Sequence, residues 1–427
     1  MILVLENLSP GSLDLKPCSL VVESKTLDNL LRSLNNFERN KNVLYIKNNP
    51  INGDKMVEEV VEVKESVSKV LPLISKKSTA IDKNNEMYPE ILQALFDHGL
   101  MSILAPKEFG GFESYYLASL VAESLAKVNA GVAHSVVVHN ATMDALRLFG
   151  TKEQKEKWIP KLKKSAGTLA MTEPGGGSDV AAIKMEAKKE GDVYILNGRK
   201  TLITNAEFGN VFIVIARAEE GLTAFLTEKD SIVVTKLNAS GMRGSGLSSV
   251  GFSNVEVAEE DILGGLGKGL KVALGTLAPN RIPFSAMGIG IANRCLEAAI
   301  KYAKERSAFG KKVADFQGIQ WMLADIVAEI EAVKSLVYTS AKVADGNEEA
   351  KLDVTASIDV TTLGAICKLK AAEVAKKAAD IAVEIYGGHG VITGSPVERA
   401  YRDAKLLDIA EGTSEIMKVI ISRKILE

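Results

Sequence analysis

Between positions 56 and 74 the apolar residues Met56, Val60, Val63, Val67, Val70, Leu71 and Ile74 recur every three or four places. That spacing lays them along one stripe of an α-helix, so an amphipathic helix is expected there. Pro89 stands close to the start of a second helical segment carrying Ile91, Leu92, Leu95 and Phe96; its preset φ and missing N–H suit a first helical turn. Residues 117–149 are largely apolar and read as further buried helix, closed by Gly150 and Thr151. Beyond Trp158 the period changes to short β-rich runs at 193–196, 201–204, 211–216 and 223–226. Asn197-Gly198, between the first two runs, predicts a two-residue hairpin turn, because both residues tolerate the positive φ of a type I′ turn. Roughly 168–260 is therefore read as a β domain. From Leu263 onward helix returns, and Ile319, Met322, Leu323, Ile326, Ile330, Val333 and Val337 hold one face for about five turns. The Ala-rich stretch 365–386 predicts its antiparallel neighbour in a bundle.

The pattern divides the chain into an N-terminal extension (1–54), a helical domain (55–165), a β domain (166–262) and a C-terminal helical bundle (263–427). The class is mainly α with a central β domain. The extension carries strand-like runs at 2–5, 20–22 and 43–46 around a helix near 27–34. Composition narrows the function classes. Apolar residues at 46% and charged ones at 25% fit a globular chain and exclude global disorder. With 52 Lys+Arg against 54 Asp+Glu, the net charge of -2 carries no electrostatic footprint for nucleic acid. The three cysteines, Cys18, Cys295 and Cys367, are odd in number and far apart, and His98, His134, His139 and His389 pair with no Cys, His or carboxylate at ligand spacing. Neither a disulfide framework nor a metal site is expected, and a reducing compartment fits. The apolar start meets Glu6 without a basic flank, and no run approaches the ~18 apolar residues that span a bilayer. A cytoplasmic chain without a membrane span is expected; Lys424-Ile425-Leu426-Glu427 is not a peroxisomal address.

Four segments hold candidate chemistry. Thr172-Glu173-Pro174-Gly175-Gly176-Gly177-Ser178-Asp179 is a polar, glycine-rich loop after an apolar strand, where backbone amides and hydroxyls can approach a planar or phosphorylated ligand, or simply turn the chain. Arg306, with Phe309 and then Phe316-Gln317, lies between two helices and suits a pyrophosphate or an ordinary helix C-terminus. Tyr386-Gly387-Gly388-His389 follows a long helix and reads equally as a C-cap. Glu411 stands between Ala410 and Gly412, ahead of a helix carrying Ile416, Val419 and Ile420. A partly desolvated carboxylate there suits proton abstraction from carbon, while a Glu before a helix is also favourable for dipole reasons alone.

In that order, in a helical, β, helical chain, the four segments resemble the acyl-CoA dehydrogenase family from about Met56 to Glu427. The resemblance implies a helical N-terminal domain, a barrel- or sandwich-like β domain and a C-terminal four-helix bundle, assembled as a homotetramer, with FAD as cofactor. It implies that Leu169, Met171, Thr172, Gly177, Ser178, Ile203 and Thr204 line the flavin, with Ser178 also near the acyl-CoA. Arg306, Phe309, Gln317, Glu384, Gly387 and Gly388 would meet the FAD of a neighbouring subunit, and Thr413 and Glu415 would complete the cradle. Glu411 takes the place of the base that removes the α-proton of the thioester, while a hydride passes from the β-carbon to the flavin and the electrons go on to electron-transfer flavoprotein. Arg281 and Gly412 fall at substrate-binding places. Some relatives carry the base immediately before the active-site Arg; that place is Asn280 here, and an amide is no base. Leu202, Ala278, Glu384 and Ala410 depart from the residues usual in the family, so the acyl group is not read from them. A flavin oxidase or monooxygenase on the same fold, and a non-catalytic subunit of a mixed oligomer, are the competing readings. The presence of Glu411 counts against the first, and that of Thr172, Ser178, Arg306 and Glu411 together against the second.

Overall fold

The computed structural model describes residues 53–346 and 358–427. The fold and the candidate site lie within the compact unit Glu59–Glu427; the strand and helix expectations for 2–46 fall outside the described residues. The N-terminal helices are α1 (Gly53–Asn84), α2 (Pro89–Asp97), α3 (Tyr115–Val128), α4 (Ala130–Phe149) and α5 (Lys152–Leu162). Val63, Val67, Val70 and Ile74 of the α1 stripe are buried, as their spacing requires. The apolar stretch 117–149 is not one helix but two. Asn129 is extended, and its side chain accepts from Val132 N at 3.0 Å to cap α4 while donating to Ser78 Oγ at 3.0 Å. An Asn in apolar surroundings competes for backbone groups and so ends one helix and starts the next.

The β domain is a single sheet in the order β6-β7-β3-β2-β4-β5-β8, with β1 parallel to β4. Its strands are β1 (Gly167–Ala170), β2 (Glu186–Glu190), β3 (Val193–Ile203), β4 (Val211–Ala218), β5 (Gly221–Glu228), β6 (Ile232–Lys236), β7 (Ser248–Ala258) and β8 (Ile262–Leu263). Six consecutive residues of β4, from Val211 to Ala216, are buried, which marks a strand covered on both faces. The expected hairpin at Asn197-Gly198 is absent, because both flanking runs belong to β3 and pair with the same partner, β7. Gly198, at φ +150°, sits in a register shift, and a Cβ there would lie 2.7 Å from Met185 Cγ. The dipeptide's backbone freedom thus serves a bulge rather than a turn. Helix also returns later than Leu263, since Ile262–Leu263 pairs with β5 and the glycines at 264, 265 and 267 all have positive φ.

The C-terminal helices are α6 (Gly269–Glu305), α7 (Gln317–Ala344), α8 (Val360–Tyr386), α9 (Pro396–Leu407) and α10 (Ser414–Leu426), with the short pair β9 (Ser307–Ala308) and β10 (Lys311–Lys312) between α6 and α7. α6 and α8 run parallel and close. Gly364 meets Ala278, Gly288 meets Ala371, and Tyr302 stacks on Tyr386 with ring centroids 4.2 Å apart. Lys377 pairs with Glu329, and Cys367 lies on Ser340, so α7 is antiparallel to α8, as expected. The β domain is tied to the bundle where Met242 N donates to Asp403 Oδ1 at 2.6 Å. No described helix is long and apolar enough to cross a membrane.

Candidate active site

Three clusters hold the residues singled out from the sequence. The first is the turn after β1. Thr201 N donates to the Thr172 carbonyl at 2.8 Å, and Thr168 Oγ1 to the Thr204 carbonyl at 2.6 Å, so the Thr172 turn and residues 201–204 lie side by side. Leu169 and Met171 are half-buried beneath, and Ile203 is buried. The turn is anchored by a residue that the motif reading passed over. Lys200, fully buried, donates to the Met171 carbonyl at 3.0 Å and to Glu173 Oε1 at 2.8 Å, while Glu173 also accepts from Lys184 N and Met185 N at 2.9 Å each. Burial pulls the Lys200 ammonium below its usual range, and Glu173 only partly restores it. Gly177 faces the Thr172 side chain, and Ser178 is exposed beyond it. Leu202 stands 56% exposed at φ +57°. An apolar side chain in a strained backbone conformation on an open face fits a rim against which a flat ring system packs.

The second cluster surrounds Glu411. α6 carries Pro279 and Pro283 on either side of Arg281, so this part of the helix lacks two N–H donors. Arg281 is buried and donates from Nε to the Glu411 carbonyl at 3.0 Å; Lys368, from α8, donates to the Gly412 carbonyl at 2.5 Å. Glu411 and Gly412 both have positive φ, +58° and +99°. Glu411 Oε2 is buried with no hydrogen-bond partner among the described residues. Burial raises the carboxyl above its usual range, and the Arg281 and Lys368 cations counter part of that rise. A carboxylate with a free oxygen and a raised pKa is the state that accepts a proton from carbon. Thr413 caps α10 by accepting from Ile416 N at 3.4 Å, and Glu415 lies in its first turn.

The loop before Glu411 is pinned by Asp408, which accepts from Lys376 Nζ at 2.9 Å, Lys405 Nζ at 2.8 Å and Ser414 Oγ at 2.5 Å. Partial burial pushes this carboxyl up, but those hydrogen bonds outweigh it and hold it well below the ordinary range. A depressed carboxyl pKa contributes stability above its unfolded value of about 4 and loses it as pH falls below. Asp408→Asn is therefore expected to lower stability at pH 7 by about 1 kcal/mol after solvent screening. Denaturation midpoints of the two proteins should converge in strong acid.

The third cluster lies at the far end of the bundle. The Tyr302–Tyr386 stack brings Arg306, at the C-cap of α6, beside Gly387 and Gly388, at the end of α8. Gln317 opens α7, Glu384 is exposed, and Phe309, at φ +51°, is 96% exposed. A Cβ built on Gly387 or Gly388 meets nothing within 4 Å, so the glycines border open space. Arg306 follows Arg281 by roughly 25 residues along α6, about 37 Å at the helical rise. One chain thus separates the third cluster from Glu411 by far more than a hydrogen-bonded site spans. An exposed aromatic, an Arg and two bare glycines beside open space are groups that suit a flat, anionic ligand.

The motif reading missed Lys200, Lys368 and Asp408. Lys368 had a signal: it lies four residues after Gly364 and three before Ala371, on the small-residue face of a helix read as buried.

Family models for the acyl-CoA dehydrogenase N-terminal, middle and C-terminal domains match residues 58–165, 168–255 and 267–426. The mitochondrial short/branched chain specific acyl-CoA dehydrogenase of Rattus norvegicus is 36% identical over 383 residues, covering 87% of this chain and 85% of the rat protein. A chain in the structure of the electron transferring flavoprotein of Acidaminococcus fermentans aligns with TM-score 0.81 at 31% identity, covering 87% of this chain and 98% of that one. The FAD complex of PigA aligns with TM-score 0.78 at 25% identity, covering 85% of this chain and 96% of that one. The order of three domains agrees with these likenesses. The chain belongs to the acyl-CoA dehydrogenase family and is an oxidoreductase that uses FAD.

Proposed function

We propose that the protein converts an acyl-CoA thioester to its trans-2-enoyl-CoA, with Glu411 removing the α-proton. The observation that carries this reading is the carboxyl of half-buried Glu411, raised in pKa and with Oε2 buried and free, in a left-handed turn whose carbonyls are held by Arg281 and Lys368. Glu411 N makes no hydrogen bond among the described residues, which leaves a donor for the thioester carbonyl beside the base. A donor placed on that oxygen stabilises the negative charge that develops as the α-proton leaves. Bound FAD supplies the acceptor for the hydride released from the β-carbon, and thus the redox half of the reaction.

In this reading Leu169, Met171, Thr172, Gly177, Ser178, Ile203 and Thr204 line the flavin of their own chain, with Thr413 and Glu415. Arg306, Phe309, Gln317, Glu384, Gly387 and Gly388 serve the FAD of a neighbouring subunit in a homotetramer; their distance from Arg281 along α6 supports that division. Ser178, Arg281 and Gly412 border the acyl-CoA. Electrons then pass to electron-transfer flavoprotein, a partner suggested by the A. fermentans likeness. Cys295 and Cys367, both buried and free, suit a reducing compartment such as the cytoplasm.

The test is anaerobic titration of the purified FAD-bound enzyme with saturated acyl-CoAs of graded length and branching. At least one thioester is expected to bleach the flavin with stoichiometric enoyl-CoA. Retained flavin that no thioester bleaches would end this reading.

A further inference from the structure

Lys368 lies on the face of α8 that packs against α6, where Gly364 and Ala371, one turn to either side, meet the α6 backbone. At 1% exposure the lysine has lost almost all its hydration, so a strong compensating contact is required. That contact is the 2.5 Å hydrogen bond from Nζ to the Gly412 carbonyl. Arg281 makes the matching bond to the preceding carbonyl, that of Glu411, at 3.0 Å. Two buried cations from different helices thus hold consecutive carbonyls of a turn with φ of +58° and +99°. A glutamate in the left-handed region is strained, and it stays there only when its surroundings determine it more than once.

We propose that Lys368 is a positioning residue for proton abstraction: by holding the Gly412 carbonyl it keeps the Glu411–Gly412 turn left-handed and the Glu411 carboxyl in place. The proposal rests on the reading of Glu411 as the base. Lys368 acts through its charge as well as its hydrogen bond. The charged groups that face it are Asp408 at the end of α9, Glu411 in the turn, Glu415 in the first turn of α10 and Arg281 on α6. Burial draws the ammonium down to about 8 against the pull of the carboxylates, so it is still mostly charged at pH 7 and below. A cation beside Glu411 favours the carboxylate and offsets part of the effect of burial.

The test compares FAD-loaded wild type, Lys368→Met, Lys368→Gln and Glu411→Gln by flavin content, thermal midpoint and the pH dependence of single-turnover bleaching. Lys368→Met keeps the apolar stem and removes the ammonium. Its limiting bleaching rate is expected to fall about 10- to 100-fold, with a much smaller change in half-saturating acyl-CoA, as for an interaction that matters in the transition state. The acid limb of the profile should move up by about one pH unit, because a neighbouring cation has been removed. Lys368→Gln, which keeps a donor for the Gly412 carbonyl but no charge, should show the same shift with a smaller loss of rate; it supplies the pH readout if the Met variant does not fold. An acid limb that stays in place, with bleaching reduced only as far as flavin or stability is lost, overturns the proposal. Bleaching retained in Glu411→Gln instead removes the base assignment itself. Bleaching abolished there, with an unmoved limb in both Lys368 variants, removes only the role of Lys368.

Discussion

Glu411→Gln is expected to bind FAD and acyl-CoA yet bleach about 1000-fold more slowly than wild type, or not at all. The substitution preserves shape and burial while replacing the proton acceptor by an amide. Stability should change in the opposite sense to activity. The folded pKa of Glu411 is raised by burial, so the native state holds its proton more tightly than the unfolded chain does. Above the unfolded value of about 4.3, ionisation therefore costs stability, and the cost grows until pH passes the folded pKa. Glutamine escapes that cost. Its thermal midpoint should match or exceed that of wild type at pH 7, and the two should converge below about pH 4. A gain in midpoint together with lost turnover marks a residue kept for chemistry at the expense of stability. A variant that turns over normally would leave the buried carboxyl without a role, and the proposed reaction with it.

Gly364→Ala is expected to be strongly disruptive within the bundle. Its Cβ would lie 2.3 Å from the Ala278 carbonyl oxygen, a backbone atom that no rotamer change can move aside. Relief requires α8 to withdraw from α6, against a core in which Ala371, Ala372, Ala375 and Ala379 are all buried. Overpacking of this kind costs about 1–3 kcal/mol, and the rigid backbone contact puts this site at the upper end. The same withdrawal separates Lys368 and Arg281, which hold the two carbonyls of the Glu411–Gly412 turn from opposite helices. Activity at temperatures where the variant remains folded should therefore fall as well. Gly318→Ala is the matched control. A Cβ there meets nothing within 4 Å, and alanine in the first turn of α7 should be neutral or slightly stabilising. Equal midpoints for the two variants would mean that α6 and α8 are not in the close register described.

The helical and β segments were legible wherever a period ran long enough to outweigh local signals, as in 56–74 and 319–337. The misreadings came where a local signal was right but its tertiary use was not. Asn197-Gly198 permits positive φ whether the chain reverses or bulges, and only the pairing of β7 on both sides of it decides for the bulge. Asn129 carries no break signal strong enough to divide an apolar run until its place as C-cap of α3 and N-cap of α4 is seen. Glycines 264, 265 and 267 delayed the last domain's first helix, because pairing of Ile262–Leu263 with β5 takes precedence over an apolar pattern.

What the sequence determined by itself was the order of elements, since periodicity is a property of neighbours along the chain. Glu411, Thr172, Ser178 and Arg306 each keep an ordinary structural reading in their immediate surroundings, and only their common order along the chain joins them. What only the tertiary structure decided was the environment of those groups. The raised pKa of Glu411 follows from burial beneath elements far away in sequence, and its left-handed turn is held by Arg281 and Lys368, which lie 130 and 44 residues from the carbonyls they bind. Desolvation and close charge are sums over atoms brought together by folding, and no local pattern encodes them.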